Sequence, residues 1–438
     1  MFKLKNIIIV CAVIIGVLTA IFTFAVIATT YKTRNSQTSH AMPAYTSSHF
    51  VIHSNMDVRY VKFLQSNLEP FYEKMQNSYF AKGWDKPLDI YYTKSQSETR
   101  KLLAGIGCGQ DIGYGVYISG LKAIFTHREM DSGGYSGLGT IYHEIIHYFV
   151  ELNYDNAPAW FNEGLATFLG EQVRYVNNQL TLGCPNPWRE HILAQMIESK
   201  FRIDVKYITS LSTRQFYRNN YNYHPTRALF FWMYKNGYLC DYMRNVKTSG
   251  YSLDTLEKTV SKPASQINTE LLAFIKINCY PAAYYYKGRS LKNTEEKKAC
   301  FQKALQIKGD YYPAMLELAR CSYKETDYEN TKAILSQILK EQNCTEYAKA
   351  HEMIADIYYE KKEFPEALTH YKCSWENSVC NEYRYWLAYR AGGCWHYMKN
   401  TEKAKHWYGL YIDNNWQPDK EPNAVKYAQN YKIAKTYE

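Results

Sequence analysis

Thr140-Ile141-Tyr142-His143-Glu144-Ile145-Ile146-His147-Tyr148-Phe149-Val150-Glu151-Leu152 is the stretch on which the first two thirds of this 438-residue chain turn. Ile141, Ile145, Tyr148, Phe149 and Leu152 recur at helical spacing, so the segment reads as one amphipathic helix. His143 and His147 then stack on one face, one turn apart. Two imidazoles so placed can meet a single Zn²⁺ at about 2.0–2.1 Å. Glu144 follows the first histidine and stands where a base must stand to take a proton from a water at the metal.

A zinc site that does chemistry needs a third protein ligand and an open fourth position. After Asn153 the chain turns through Asp155-Asn156-Ala157-Pro158, and Pro158 suits the first position of a new helix. That helix begins Ala159-Trp160-Phe161-Asn162-Glu163-Gly164-Leu165-Ala166-Thr167-Phe168. The interval from His147 to Glu163 lets the first helix finish, reverse and return a carboxylate, so Glu163 is the expected third ligand. An unpaired carboxylate among Trp160, Leu165, Ala166 and Phe168 would be unfavourable. A lone histidine is usually a core residue, but two framed by Glu144 and followed by Glu163 argue against that plain reading.

From Tyr142 to Glu171 the sequence resembles the gluzincin metallopeptidases, specifically the peptidase MA-like group with P-x-W-x-x-E-G-x-A after H-E-x-x-H. The resemblance covers about residues 48–280. Tyr223, Thr226, Ala228 and Leu229, then Lys235 to Leu239, resemble that group's tyrosine-led helix, and Leu253 to Ile275 its closing helical unit. It implies an α+β zincin-like fold, hydrolysis of peptide bonds, and a strand before the active-site helix, here within 115–126, that pairs with substrate backbone. It also implies an oxyanion donor, for which Tyr223 aligns best, with Tyr221 and His224 as neighbours. Thermolysin-like enzymes carry an aspartate four residues after the ligand glutamate to orient a histidine, and here that position is Thr167.

Farther out, Ile7 to Thr29 are 23 residues without a charge. At 1.5 Å per residue they make a helix of about 35 Å, enough for a hydrocarbon core of about 30 Å. Residues 1–30 are expected to be an N-terminal membrane anchor, a cleaved signal peptide being the alternative. Either places the rest of the chain outside the cytoplasm. Residues 31–47 read as a polar linker and His49 to Tyr280 as the metallopeptidase domain. Within the latter, His49–His53 and Pro87–Tyr92 read as strands and Val58–Ser78 as a helix. Gly105-Ile106-Gly107-Cys108-Gly109 lacks the Lys-Ser/Thr ending of a phosphate loop.

Residues 281–438 change to helices with small residues and tyrosines at fixed offsets. Ala355, Ala367 and Tyr371 repeat as Gly392, Ala404 and Tyr408, with Ala319 before them. The pattern resembles the tetratricopeptide repeat, an all-α solenoid, and Phe301 to Leu305 resembles part of a degenerate further copy. An ordinary helical bundle is the alternative.

The fold class expected is thus an α+β zincin-like domain followed by a tetratricopeptide-like solenoid, with one N-terminal transmembrane helix. Ten cysteines follow the apolar run without a C-x-x-C pair, which argues against a thiolate zinc site and leaves disulfides or buried thiols open. The net charge of +10 is spread along the chain, which argues against nucleic-acid binding. The expected function is a membrane-anchored zinc peptidase acting on a protein or peptide, with the repeats as a site for a protein partner. The alternatives are an inactive zincin-like scaffold in which the repeats do the binding, and a zinc hydrolase of another amide. A relic tends to lose its base or ligands first, and all four residues are present.

Overall fold

The computed structural model describes residues 42–108, 113–128, 138–176, 179–182, 184–341 and 344–433. The expected anchor and most of the linker lie outside them. Among the described residues no helix is long and apolar enough to cross a membrane.

Five strands form one mixed sheet in the order β1-β2-β3-β5-β4. They are β1 (Ala44–Thr46), β2 (Phe50–His53), β3 (Leu88–Thr93), β4 (Gly115–Ile118) and β5 (Ala123–His127). β2, β3 and β5 run parallel, and the two edge strands pair antiparallel to them. β1 lies inside the stretch read as a linker, so the end of that segment is built into the sheet. The strand expected within 115–126 is two strands, joined by a 3-10 turn at Ser119–Leu121, and only β4 is at the edge.

Helix α1 (Val58–Ser78) starts where Asp57 accepts the Arg59 N–H, and it buries Tyr60, Leu64, Leu68, Phe71, Tyr72 and Met75 along one stripe. A short α2 (Gln96–Gly105) precedes β4. The histidine-bearing helix α3 (Leu138–Asn153) buries Ile141, Tyr142, Ile145, Tyr148 and Phe149. It packs on α1 through Phe71 against Tyr142, with ring centroids 4.1 Å apart. After a turn comes α4 (Ala159–Leu165), with Pro158 one residue earlier than expected, at the N-cap. A single π turn, Ala166–Gly170, ends it.

Two glycines fix how this unit closes. A Cβ on Gly164 would lie 2.3 Å from the Phe230 ring, and one on Gly170 would lie 2.6 Å from the His143 backbone. Only a missing side chain lets the glutamate helix touch its neighbours here. A two-stranded ribbon, β6 (Arg174–Val176) and β7 (Gln179–Thr181), leads to α5 (Pro187–Glu198), α6 (Val205–Ser210), α7 (Thr213–Arg218) and α8 (Tyr223–Lys235). The unit closes with α9 (Leu239–Ser249), α10 (Leu253–Val260) and α11 (Ala264–Asn278).

Beyond Cys279 the chain is a run of helical hairpins capped by one last helix. They are α12 (Tyr280–Ser290) with α13 (Thr294–Ile307), α14 (Tyr312–Lys324) with α15 (Tyr328–Lys340), α16 (Tyr347–Glu360) with α17 (Phe364–Glu376), and α18 (Tyr385–Tyr397) with α19 (Thr401–Asn414), then α20 (Pro422–Ile433). Ala319, Ala355, Ala367 and Ala404 are fully buried, as the small-residue pattern requires. Gly392 faces Tyr408, and in the degenerate copy Gly288 faces Phe301. All ten described cysteines are unpaired, and six are buried.

The far end of the repeats returns to the sheet. Arg128, directly after β5, donates to both carboxylate oxygens of Glu382 at 3.0 and 3.3 Å and to the Tyr383 hydroxyl at 2.7 Å. Its guanidinium lies 4.0 Å from the Trp416 ring centroid, and Trp416 packs on Tyr60 of α1 at 4.7 Å. Tyr385, Tyr408 and Tyr411 join the same apolar core as α1 and α3. We therefore expect one cooperative calorimetric transition for the region 42–433. Two well-separated heat-absorption peaks would mean that the repeats fold as an independent unit.

Candidate metal centre

α3 and α4 meet at three side chains. His143 Nε2 lies 3.3 Å and His147 Nε2 3.6 Å from Glu163 Oε2. The donor atoms of the three all lie within 4.8 Å of one another. Ligand atoms on a tetrahedral zinc at about 2.0–2.1 Å stand about 3.3–3.5 Å apart, close to the two histidine–glutamate spacings. Glu163 is 5% exposed, and its Oε2 is buried with no well-aligned hydrogen-bond donor among the described residues. An acceptor stranded in this way, facing two imidazole nitrogens, has the chemistry of a ligand atom.

The surrounding bonds orient each of the three side chains. His147 Nδ1 is 2.9 Å from Asn162 Oδ1, an acceptor only, so the proton sits on Nδ1 and Nε2 turns a lone pair toward Glu163. Glu163 Oε1 accepts the Tyr217 hydroxyl at 2.8 Å, which leaves Oε2 for the histidine side. His143 Nδ1 faces Glu171 Oε1 at 3.6 Å. Glu171 is itself clamped by Arg189, at 2.5 and 2.6 Å, and by the Asn186 amide at 2.9 Å.

Thr167, where thermolysin-like enzymes carry the orienting aspartate, instead donates to the Glu163 carbonyl at 2.7 Å. The carboxylate facing His143 is Glu171, which the π turn carries round onto α3. A π turn adds one residue to a helical turn and shifts every later side chain, and such insertions favour functional sites.

Charge follows geometry. Burial works against the charged form of His143, but Glu163 and Glu171 outweigh it and raise its pKa to about 10. Burial likewise disfavours the Glu163 carboxylate, while His147, His143 and Tyr217 bring it down to about 2. Glu171 is held well below the usual carboxylate range, Arg189 and His143 outweighing its burial. The cradle is thus a pair of carboxylates that hold a proton on His143, and a metal cation can take the place of that proton.

Glu144 is 7% exposed, and its Oε2 accepts the Tyr117 N–H at 2.8 Å. The carboxylate next to the ligands is thereby tied to β4, the edge strand. Tyr223, at the start of α8, has its pKa raised first by burial, then by Glu163, with Glu144 adding to it. It stands near both carboxylates and stays protonated. Tyr217 is raised by burial and by Glu163, and it keeps its proton too. Of the neighbours, Tyr221 is exposed, and His224 is kept neutral by burial and Arg189, with its pKa pulled down to about 3.

The sequence singled out His143, His147, Glu163 and Glu144, of which the structure brings the first three together, and it did not point to Asn162, Glu171, Arg189 and Tyr217 around them. Asn162 adjoins Glu163 and could have been suspected. The other three depend on the π turn and on loops that no spacing rule describes. No family model matches this sequence, and no curated protein matches it.

Proposed function

We propose that this protein is a zinc-dependent metallopeptidase of the gluzincin type, held at a membrane by residues 1–30, with its catalytic domain outside the cytoplasm. The observation that carries the reading is the buried Glu163 Oε2 set 3.3 and 3.6 Å from two imidazole nitrogens, with Glu144 beside them. His143, His147 and Glu163 would hold a zinc ion, which would supply Lewis acidity and lower the pKa of a water there. Glu144 takes the proton of the attacking water and returns it to the leaving amine. The outward edge of β4, apart from the Tyr117 N–H that Glu144 holds, pairs with the substrate backbone. Tyr223, held protonated, donates to the developing oxyanion. Asn162, Tyr217 and Glu171 keep the three ligands in register, and the repeats offer a surface for a protein partner.

Incubation with a mixed peptide library tests this reading. Cleavage read by mass spectrometry is expected to stop in a chelator and to return on adding zinc, and cleavage that survives chelation overturns the proposal. A second test bears on Glu171. Glu171→Gln keeps the shape but weakens the hold on His143 and Arg189, and zinc affinity is expected to fall about 10- to 100-fold. Competition against a chromogenic chelator measures this, and an unchanged affinity would deny Glu171 an orienting role.

A further inference from the structure

The repeats and the histidine helix enclose a second cavity of about 290 Å³. One wall is Gly139 and Tyr142 of α3. Another is Gln172 and Arg174, which follow Glu171. The third comes from the repeats: Lys349 and Glu352 on α16, and Asn377 just after α17.

Two buried polar atoms on residues lining this cavity have no partner among the described residues, Gln172 Nε2 and Asn377 Oδ1. Gln172 is 5% exposed, and its Oε1 accepts from Arg174 at 2.7 Å, so its amide is held in one orientation. Its backbone has φ 57°, a left-handed value that a non-glycine residue adopts only under constraint. Asn377 spends its Nδ2 on the Cys373 carbonyl at 2.9 Å, so Oδ1 is its free end. An unpaired buried donor and an unpaired buried acceptor each destabilise a fold, and a group that presents one acceptor and one donor relieves both. A peptide amide is such a group.

Charge adds a direction. Glu382 also lines the cavity but is engaged by Arg128, and Glu352 is matched by Lys349 at 2.6 Å. Arg174 makes no ion pair with a carboxylate lining the cavity, although the buried Glu346 acts on it from outside, and Lys349, paired with Glu352, is part-exposed on the repeats and shares its charge with any anion that enters. A carboxylate beside the amide completes the complement. We propose that this cavity binds the carboxyl-terminal end of a peptide, with Gln172 and Asn377 pairing its last amide and Arg174 and Lys349 its terminal carboxylate. Because Gln172 directly follows Glu171, an occupied cavity adjoins the carboxylate that faces His143. The site does not depend on the metallopeptidase reading, since nothing in it requires hydrolysis.

The test uses the whole protein and an acetylated dipeptide bearing a diazirine side chain, as the free acid and as the amide, with and without chelator. Irradiation followed by peptide mapping shows where the probe sits. Saturable labelling of 345–352 or 377–383 is expected with the acid and is expected to persist in chelator. It is expected to drop at least about tenfold with the amide, and similarly in Lys349→Ala, whose side chain is part-exposed. Asn377→Ala is expected to weaken labelling by both probes. No saturable labelling of these segments, equal labelling by acid and amide, or labelling confined to the surroundings of His143 and Glu163 each overturns the proposal. Failure here leaves the zinc reading untouched, because chelation removes that site and not this one.

Discussion

Glu144→Gln is expected to keep a full equivalent of zinc and to lose at least about a hundredfold in turnover. Glutamine has the same length and still offers an oxygen to the Tyr117 N–H, which is 2.8 Å from the native carboxylate. His143, His147 and Glu163 are unchanged, so the cradle should fill normally. What disappears is the basic oxygen that receives the water's proton, and positioned acid–base groups contribute about 10²–10⁴ to rate. Substrate affinity should change little, because binding along β4 uses backbone groups. Turnover and metal content measured on the same preparation separate the two effects. Wild-type hydrolysis by Glu144→Gln on a substrate that the native protein cleaves would put the base elsewhere.

Local regularity was legible and long-range closure was not. Val58–Ser78 carries an unbroken helical stripe, and its expected limits match the structure residue for residue. The helix of His143 begins at Leu138 and ends at Asn153, close to the limits its apolar spacing implies. β1 was missed because Ala44-Tyr45-Thr46 is three residues in a polar stretch, and what makes it a strand is its pairing with Val51 to His53. Strand identity there lives in the partner rather than in the segment.

The same reason hid the way the repeats close. Their periodicity marked Ala319, Ala355, Ala367, Ala404, Tyr371 and Tyr408, all of them buried, since those contacts lie within a hairpin or between neighbours. The contact that binds the arm back to the sheet joins Arg128 to Glu382 and Trp416, and nothing near either end of the sequence marks it. Residue 280 therefore marks a change of helical grammar, while the apolar core runs on past it to Tyr408 and Tyr411. A boundary read from composition need not be a boundary in packing.

His147→Ala is expected to abolish stoichiometric zinc at micromolar metal, lowering affinity by well over about a hundredfold, since orienting residues alone change it about 10- to 100-fold. Of the three ligands His147 gives the cleanest test. Removing Glu163 would leave a protonatable His143 and the Tyr217 hydroxyl without their shared partner, which disturbs folding as well as binding. Removing His147 frees mainly Asn162, whose amide can rotate to water, so the fold should survive. Metal content by mass spectrometry on the soluble fragment from residue 40 onward, alongside the native sequence and with circular dichroism to show that the helices persist, gives the answer. A folded His147→Ala protein that still holds one zinc per chain would move the metal away from these three side chains, and the role of Glu144 would go with it.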